Sequence, residues 1–387
     1  MKRLYYEDTS LTTFEATVTS CTQTASGTYE ITLDQTAFFP EEGGQGADSG
    51  TLQGHPVSDV QIRNKEIYHV LSVPLLPGEQ VWGVVDAKQR FDYMQQHSGE
   101  HILSGLVHAR FGYDNVGFHL GKEAVTLDFN GVITWEEIRI LETEVNRIIC
   151  QNLPIEITYP EPDALTSLSY RSKLELTEDV RIVTIPGVDC CACCAPHVAF
   201  TGQIGLLKVT DLQSHRGGVR INILCGERAL REFTVHQDSV RNISAQLSVK
   251  QEAVADGVAR LKEETLRLKD RANHLQARLL DLQAAMLPGP EITSHALLFT
   301  GELDTIAIRN TVNTLCASYP GYCCLFSGND TEGYRFIIGS SSSDCRQIAT
   351  LLRERLGAKG GGTAPMVQGS VSATEQAIRD VLGDKQL

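Results

Sequence analysis

Four residues of this chain have the types and spacing to hold a metal ion. His97 and His101 stand four apart in Gln96-His97-Ser98-Gly99-Glu100-His101, and Cys193 and His197 stand four apart in Cys193-Cys194-Ala195-Pro196-His197. Helical positions i and i+4 share a face, so the two imidazoles of the first pair converge. Imidazole nitrogen and thiolate sulfur are the donors Zn2+ prefers, and four of them make a tetrahedron. The cysteine-rich stretch also supports a different chemistry. Cys190 with Cys193, and Cys191 with Cys194, are C-x-x-C pairs suited to a redox dithiol or to half of a zinc ribbon, although no second pair stands at ribbon spacing.

The elements that must position these donors are of mixed type. Residues 1–90 read as β-rich: Ala16-Thr17-Val18-Thr19-Ser20 and Tyr29-Glu30-Ile31-Thr32-Leu33 alternate with the period of half-buried strands, separated by turn formers. The stretch Phe38-Phe39-Pro40-Glu41-Glu42-Gly43-Gly44-Gln45-Gly46 has the glycines of a binding loop, and the same composition equally serves a plain surface turn. From Phe91 the period becomes helical to about Phe111, with His97 and His101 on one side. A strand from Ala124 to Phe129 follows, then a helix from Trp135 to Asn152 that has Thr134 as its cap and Glu137 at the capping-box position. Residues 180–185 read as a buried strand leading to the cysteines. The fold class is α+β, with a β-barrel-like subdomain at 1–90 and an α+β zinc-binding core at 91–240.

Beyond the core, Leu247, Val254, Leu261, Leu268, Leu275 and Leu282 recur every seven residues. This predicts a coiled-coil segment at 241–289, a helix of roughly 60 Å ended by Pro288-Gly289-Pro290. Gln251 and Thr265 interrupt the seam, which suits either a helical hairpin or a dimer contact. A small α/β domain at 290–387 is expected, with strands near Ile306-Ala307-Ile308, Cys323–Phe326 and Arg335–Ile338. Helices are expected over 310–319, 344–356 and 374–382. Gly360-Gly361-Gly362 reads as a linker-like loop that also suits backbone contact with phosphate.

Composition sets bounds on partners. A chain of 387 residues with 42% apolar residues exceeds what one core usually serves. Its net charge of −14 disfavours non-specific coating of nucleic acid and leaves a local basic patch open. The start of the sequence lacks the apolar core of a signal peptide, and no run of eighteen apolar residues occurs, so a cytoplasmic protein without membrane association is expected. The eleven cysteines suit thiols or metal ligands better than disulfides there.

The order and spacing of four motifs carry a resemblance. His97-x-x-x-His101 and Cys193-x-x-x-His197, the upstream Phe38-Phe39-Pro40-Glu41-Glu42-Gly43-Gly44-Gln45 and the downstream Thr201-Gly202-Gln203-Ile204-Gly205 resemble the editing domain of alanyl-tRNA synthetase, above all its free-standing AlaX-type relatives. The heptad segment and Gly360-Gly361-Gly362-Thr363-Ala364-Pro365 are similar to the C-terminal tRNA-binding and dimerising region of those synthetases. The resemblance implies one Zn2+ per chain on His97, His101, Cys193 and His197, which are then also the catalytic residues. It implies hydrolysis in trans of tRNA-Ala mischarged with serine or glycine, with no segment for aminoacylation or ATP, and a homodimer. Thr36, Gly43, Gly44 and Gln45 would bind the aminoacyl group, Thr36 offering its hydroxyl to a serine side chain. Two stretches depart from the family's pattern: Cys194-Ala195-Pro196 replaces Gly-Gly-Thr between the second pair of ligands, and Glu42 stands where many members carry glycine or serine.

Other readings stay open at this level. A zinc-dependent hydrolase of a small ester or amide, or a coiled-coil scaffold with a structural zinc, has the same donors. Glu100 is expected to be a solvated helix residue, because the metalloprotease pattern that uses a helical Glu is His-Glu-x-x-His. Arg260, Lys262, Arg267, Lys269 and Arg271 lie on the heptad helix and suit either tRNA phosphate contacts or a solvated face.

Overall fold

The computed structural model describes the chain except for Lys122, Glu123, Thr166 and residues 173–179 and 384–387. It forms two compact units, Met1–Val240 and Arg241–Leu387.

The first unit begins with the barrel-like sheet that the alternating pattern predicts. Its seven strands run in the order 55–57, 50–52, 80–85, 13–23, 29–33, 66–71 and 59–63, all pairs antiparallel. Ser58 N–H donates to Val70 O at 2.9 Å, nearly closing the sheet on itself. Alternate residues Phe14, Ala16, Val18 and Val81, Val85 point inward, where Phe38 and Phe39 complete the core. The strand ending at Val85 leads straight into helix Ala87–Phe111, whose cap Asp86 accepts from the backbone N–H groups of Lys88 and Gln89. Arg90 then ties that helix to the loop below it. Its guanidinium, buried with Asp48, binds both oxygens of that carboxylate and the carbonyl of Ala37.

Behind this helix lies a four-stranded antiparallel sheet in the order 115–120, 125–129, 218–225 and 207–215. Helix Trp135–Gln151 packs nearby with its capping box formed by Thr134 and Glu137 as the sequence predicts. A small three-stranded sheet, 156–158, 182–185 and 189–192, carries the cysteines, turning at Pro186-Gly187-Val188. Helix 87–111 is therefore covered on most sides, and from Tyr93 to Gly105 every residue is buried.

The second unit departs from the sequence reading in three places. The heptad segment is not continuous. Helix Gly226–Leu247 ends at Ser248, whose φ is 52°, and a short 3-10 turn precedes helix Val254–Ala285. The second helix has 32 residues, about 48 Å at 1.5 Å per residue. Ile306-Ala307-Ile308 is helical, not a strand: Asp304 accepts from Ile306 N–H and starts helix Thr305–Ser318, so capping outweighs β-branched propensity. Gly360-Gly361-Gly362 is not a linker but part of edge strand Lys359–Thr363, paired with Met366–Val371. A Cβ on Gly362 would stand 2.3 Å from Met366 O, so only glycine allows this close approach. The sheet runs 296–300, 323–329, 333–339, 366–371 and 359–363; its first pair is parallel and the rest antiparallel. Helices Arg346–Leu356 and Glu375–Gly383 pack on the core that includes Phe326, Phe336 and Ile338. Among the described residues no helix is long and apolar enough to cross a membrane.

Candidate metal centre

His97 and His101, one helical turn apart, meet Cys193 and His197 from the loop that leaves strand Asp189–Ala192. One donor atom from each of the four lies within 4.8 Å of all the others. Cys193 Sγ is 3.5 Å from His97 Nε2 and 3.4 Å from His197 Nε2. Zinc–nitrogen and zinc–sulfur bonds of about 2.0–2.3 Å in a tetrahedron require donor separations of roughly 3.3–3.8 Å. Both separations from Cys193 Sγ fall in that range, and the four residue types are those zinc takes, so the donor set fits a zinc ion.

The outer nitrogens are equally ordered. His97 Nδ1 lies 2.9 Å from Gln45 Oε1, His101 Nδ1 lies 2.9 Å from Asp189 Oδ2, and His197 Nδ1 lies 3.0 Å from Ser98 Oγ. An acceptor on Nδ1 of His97 and His101 puts the proton there and frees Nε2 as a ligand, the outer-sphere arrangement typical of metal histidines. Arg171 binds both oxygens of Asp189, fixing that carboxylate in turn. The cysteine loop hangs on Arg181, whose Nη1 donates to the carbonyls of Cys193 at 2.8 Å and Ala195 at 2.9 Å.

The electrostatics favour a thiolate. Burial opposes ionisation of Cys193, but His97 and His197 beside it, with hydrogen bonds from His101 and His197, hold its thiol well below the ordinary range. Burial likewise opposes charge on His101, yet Asp189 and Cys193 raise it well above the usual imidazole value. Burial takes His197 down to about 3, leaving it a neutral donor. Burial pushes the neighbouring Cys191 thiol up to about 11, so it stays protonated.

The C-x-x-C readings fare differently. Cys190 and Cys191 are consecutive in a strand and face opposite ways. Cys191 does approach His101 and Asp189 closely enough to form a second three-residue group. Cys190 and Cys194 belong to neither group of candidate ligands found among the described residues.

Glu100 is buried, contrary to the expectation of a solvated position. Its Oε1 accepts from Ser104 Oγ at 2.5 Å and Asn115 Nδ2 at 2.7 Å, and its Oε2 is 3.8 Å from His101 Nε2. Burial works against its charge, but His101, Arg171 and His97 outweigh that and lower its pKa. A helix buried all round has no solvent face to which a charged residue can be assigned, and periodicity cannot reveal this.

Gly43 and Gly44 line a cleft of about 2120 Å³ together with His97, His101 and Cys193. Gly44 has φ of 83°, and a Cβ there would stand 2.5 Å from Phe118 O. Thr36 and Gln45 are fully buried behind this surface. Thr36 Oγ1 lies 2.8 Å from His69 Nε2 and accepts from Phe38 N–H at 3.1 Å. Since His69 Nδ1 faces the carbonyl of Ile31, its Nε2 accepts a hydrogen bond from the Thr36 hydroxyl. The hydroxyl that was expected to serve substrate is thus already given to His69. Asp189, Ser98 and Arg171 carry no local signal in the sequence, since their partners lie from 18 to 99 positions away.

Residues 180–222, which carry Cys193 and His197, match the family described as threonyl and alanyl tRNA synthetase second additional domain. The alanyl-tRNA editing protein AlaX-L of Pyrococcus horikoshii is 27% identical over 100% of this chain and 98% of its own. The alanyl-tRNA editing protein Aarsd1 of Rattus norvegicus is 26% identical over 89% of this chain and 85% of its own. An alanine–tRNA ligase of Methanoregula boonei is 31% identical over 95% of this chain, which spans 41% of the ligase.

Proposed function

We propose that this chain, similar along its length to AlaX-type alanyl-tRNA editing proteins, is one of them and hydrolyses the ester of mischarged tRNA-Ala, carrying serine or glycine, at a zinc ion held by His97, His101, Cys193 and His197. The observation that carries this reading is the convergence of four zinc-type donors, three of which, His97, His101 and Cys193, line an open cleft. A zinc buried in a core would need no such access.

Zinc supplies Lewis acidity, polarising an ester carbonyl or lowering the pKa of water. The chain's own residues do the rest. Gln45 and Asp189 hold His97 and His101 by Nδ1 and so aim Nε2 at the centre. Gly43 and Gly44 present bare backbone to the cleft, which leaves room for an aminoacyl group beside the donors. Glu100, buried and ionised near His101, balances charge around the donors and anchors Asn115. Tyr6, Lys65, Phe118, Tyr159, Tyr170 and Arg171 line the same cleft. Aromatic faces interleaved with cations suit the unpaired 3′ end of a tRNA, which binds by stacking and phosphate contacts. Thr36 acts from behind this wall, holding Phe38 N–H and His69, so its influence on serine against alanine runs through the loop's shape. The heptad helix and the C-terminal sheet serve tRNA binding and assembly into a homodimer.

Purified protein is expected to hold about one zinc per chain and to deacylate Ser-tRNA-Ala while sparing Ala-tRNA-Ala. Activity surviving His97→Ala combined with Cys193→Ala defeats the zinc mechanism. A zinc-loaded sample that deacylates small esters but no tRNA favours the small-ester hydrolase, and one without any hydrolysis favours the scaffold.

A further inference from the structure

The turn after Phe39 folds back on itself. Glu42 N–H donates to Gln45 O and Gln45 N–H donates to Glu42 O, both at 3.1 Å. One end of this turn, Gln45, rests on His97. The other end, Glu42, rests against the loop that supplies Cys193. A Cβ placed on Gly43 would lie 3.2 Å from Cys194 Sγ, and the Cys194 thiol sits against the Glu42 carboxylate. Glu42 and Cys194 are among the positions at which the two site loops depart from the pattern the resemblance sets, and in the fold they are neighbours. Both line the cleft alongside His97, His101 and Cys193.

The Glu42 carboxylate forms no salt bridge among the described residues, although Arg3 is near enough to feel its charge. Its Oε2 is enclosed and has no hydrogen-bond partner, and the proton donor beside the carboxylate is the weakly donating Cys194 thiol. Of the nearby guanidinium groups, Arg3 donates to Tyr6 Oη and the Lys65 carbonyl, both at 3.4 Å, and Arg181 donates through Nη1 to the carbonyls of Cys193 and Ala195, while its Nε and Nη2 find no hydrogen-bond partner. An enclosed carboxylate oxygen without a donor is costly, and the cost is relieved when a charged donor enters. A primary ammonium brings three donors and a matching charge.

We propose that Glu42 receives the α-ammonium of the amino acid esterified to the tRNA, orienting the ester at the metal donors, with Cys194 forming the wall behind the carboxylate. This assignment rests on the deacylase reading above. The ammonium is the one cationic group that every aminoacyl ester carries next to its carbonyl, and Glu42 lies three residues from Gln45, which steers His97. An acyl group without an ammonium leaves Glu42 unpaired and is held less well.

The test compares Ser-tRNA-Ala with glyceryl-tRNA-Ala, in which a hydroxyl replaces the ammonium, in the zinc-loaded full chain and in Glu42→Gln. The ratio of kcat/KM for the two esters should fall roughly 10- to 100-fold in the variant, the size of a charge-assisted hydrogen bond, while zinc content stays the same. Intrinsic lability of the two esters cancels in this comparison. Glu42→Gly, which removes the carboxylate altogether, should give the same loss and serves if the glutamine variant does not fold. An unchanged ratio, or an equal loss on both esters, overturns the assignment. If the unmodified chain hydrolyses neither ester, the deacylase reading itself fails.

Discussion

The side-chain oxygen of Gln45 lies 2.9 Å from Nδ1 of His97, joining the glycine turn to the helix that carries two of the candidate donors across 52 positions of sequence. The amide oxygen accepts, so the proton stays on Nδ1 and Nε2 keeps its lone pair for the metal. Replacing Gln45 by Ala should weaken zinc binding roughly 10- to 100-fold with the fold intact. Competition against a chelator measures this; unaltered affinity would show that His97 is oriented by packing alone.

Asp48 and Arg90 are a buried pair that clamps the turn-bearing loop to the helix, with Phe39 N–H also bound to Asp48 at 2.6 Å. Asp48→Ala strands the guanidinium in the core, so a loss of about 3–5 kcal/mol is expected. Urea denaturation reads it. Loss below about 1 kcal/mol would mean that water or a shifted carbonyl replaces the carboxylate.

Burial lowers the pKa of His69 to about 4, against about 6.5 for an unfolded imidazole. The unfolded chain therefore takes up this proton first as the pH falls. The contribution to stability, on the order of 3 kcal/mol, is complete above about pH 6.5 and lost progressively toward pH 4. His69→Gln should flatten the fall in unfolding free energy between pH 6.5 and 4 relative to the unmodified chain. Parallel curves for the two proteins would contradict it.

Val258, Leu261, Leu268, Leu275 and Leu282 are exposed on helix Val254–Ala285 in the single chain. Burying such a seam in a partner copy is the expected use of a heptad pattern. Sedimentation should give a dimer, and Leu261→Lys with Leu268→Lys should give a folded monomer. A monomeric unmodified chain would leave the seam to another partner.

The cluster of four candidate donors was legible because coordination chemistry restricts residue type and helix geometry restricts spacing, and both are local. His97 and His101 needed only the i, i+4 rule. The capping box at Thr134 and Glu137 and the alternation in strand Thr13–Gln23 were readable for the same reason. The heptad pattern was visible too, but the break at Ser248 was not: hydrophobic spacing continues through it while the backbone turns. Tertiary structure alone decided what surrounds the donors. Asp189 comes to His101 from 88 positions away, Ser98 reaches His197 across 99, and Glu100 is buried because sheets cover its helix on both sides. It likewise brought Glu42 against Cys194. Hydrogen bonds and charge pairs between distant segments depend on how whole sheets and helices pack, and no local pattern of residue types encodes that.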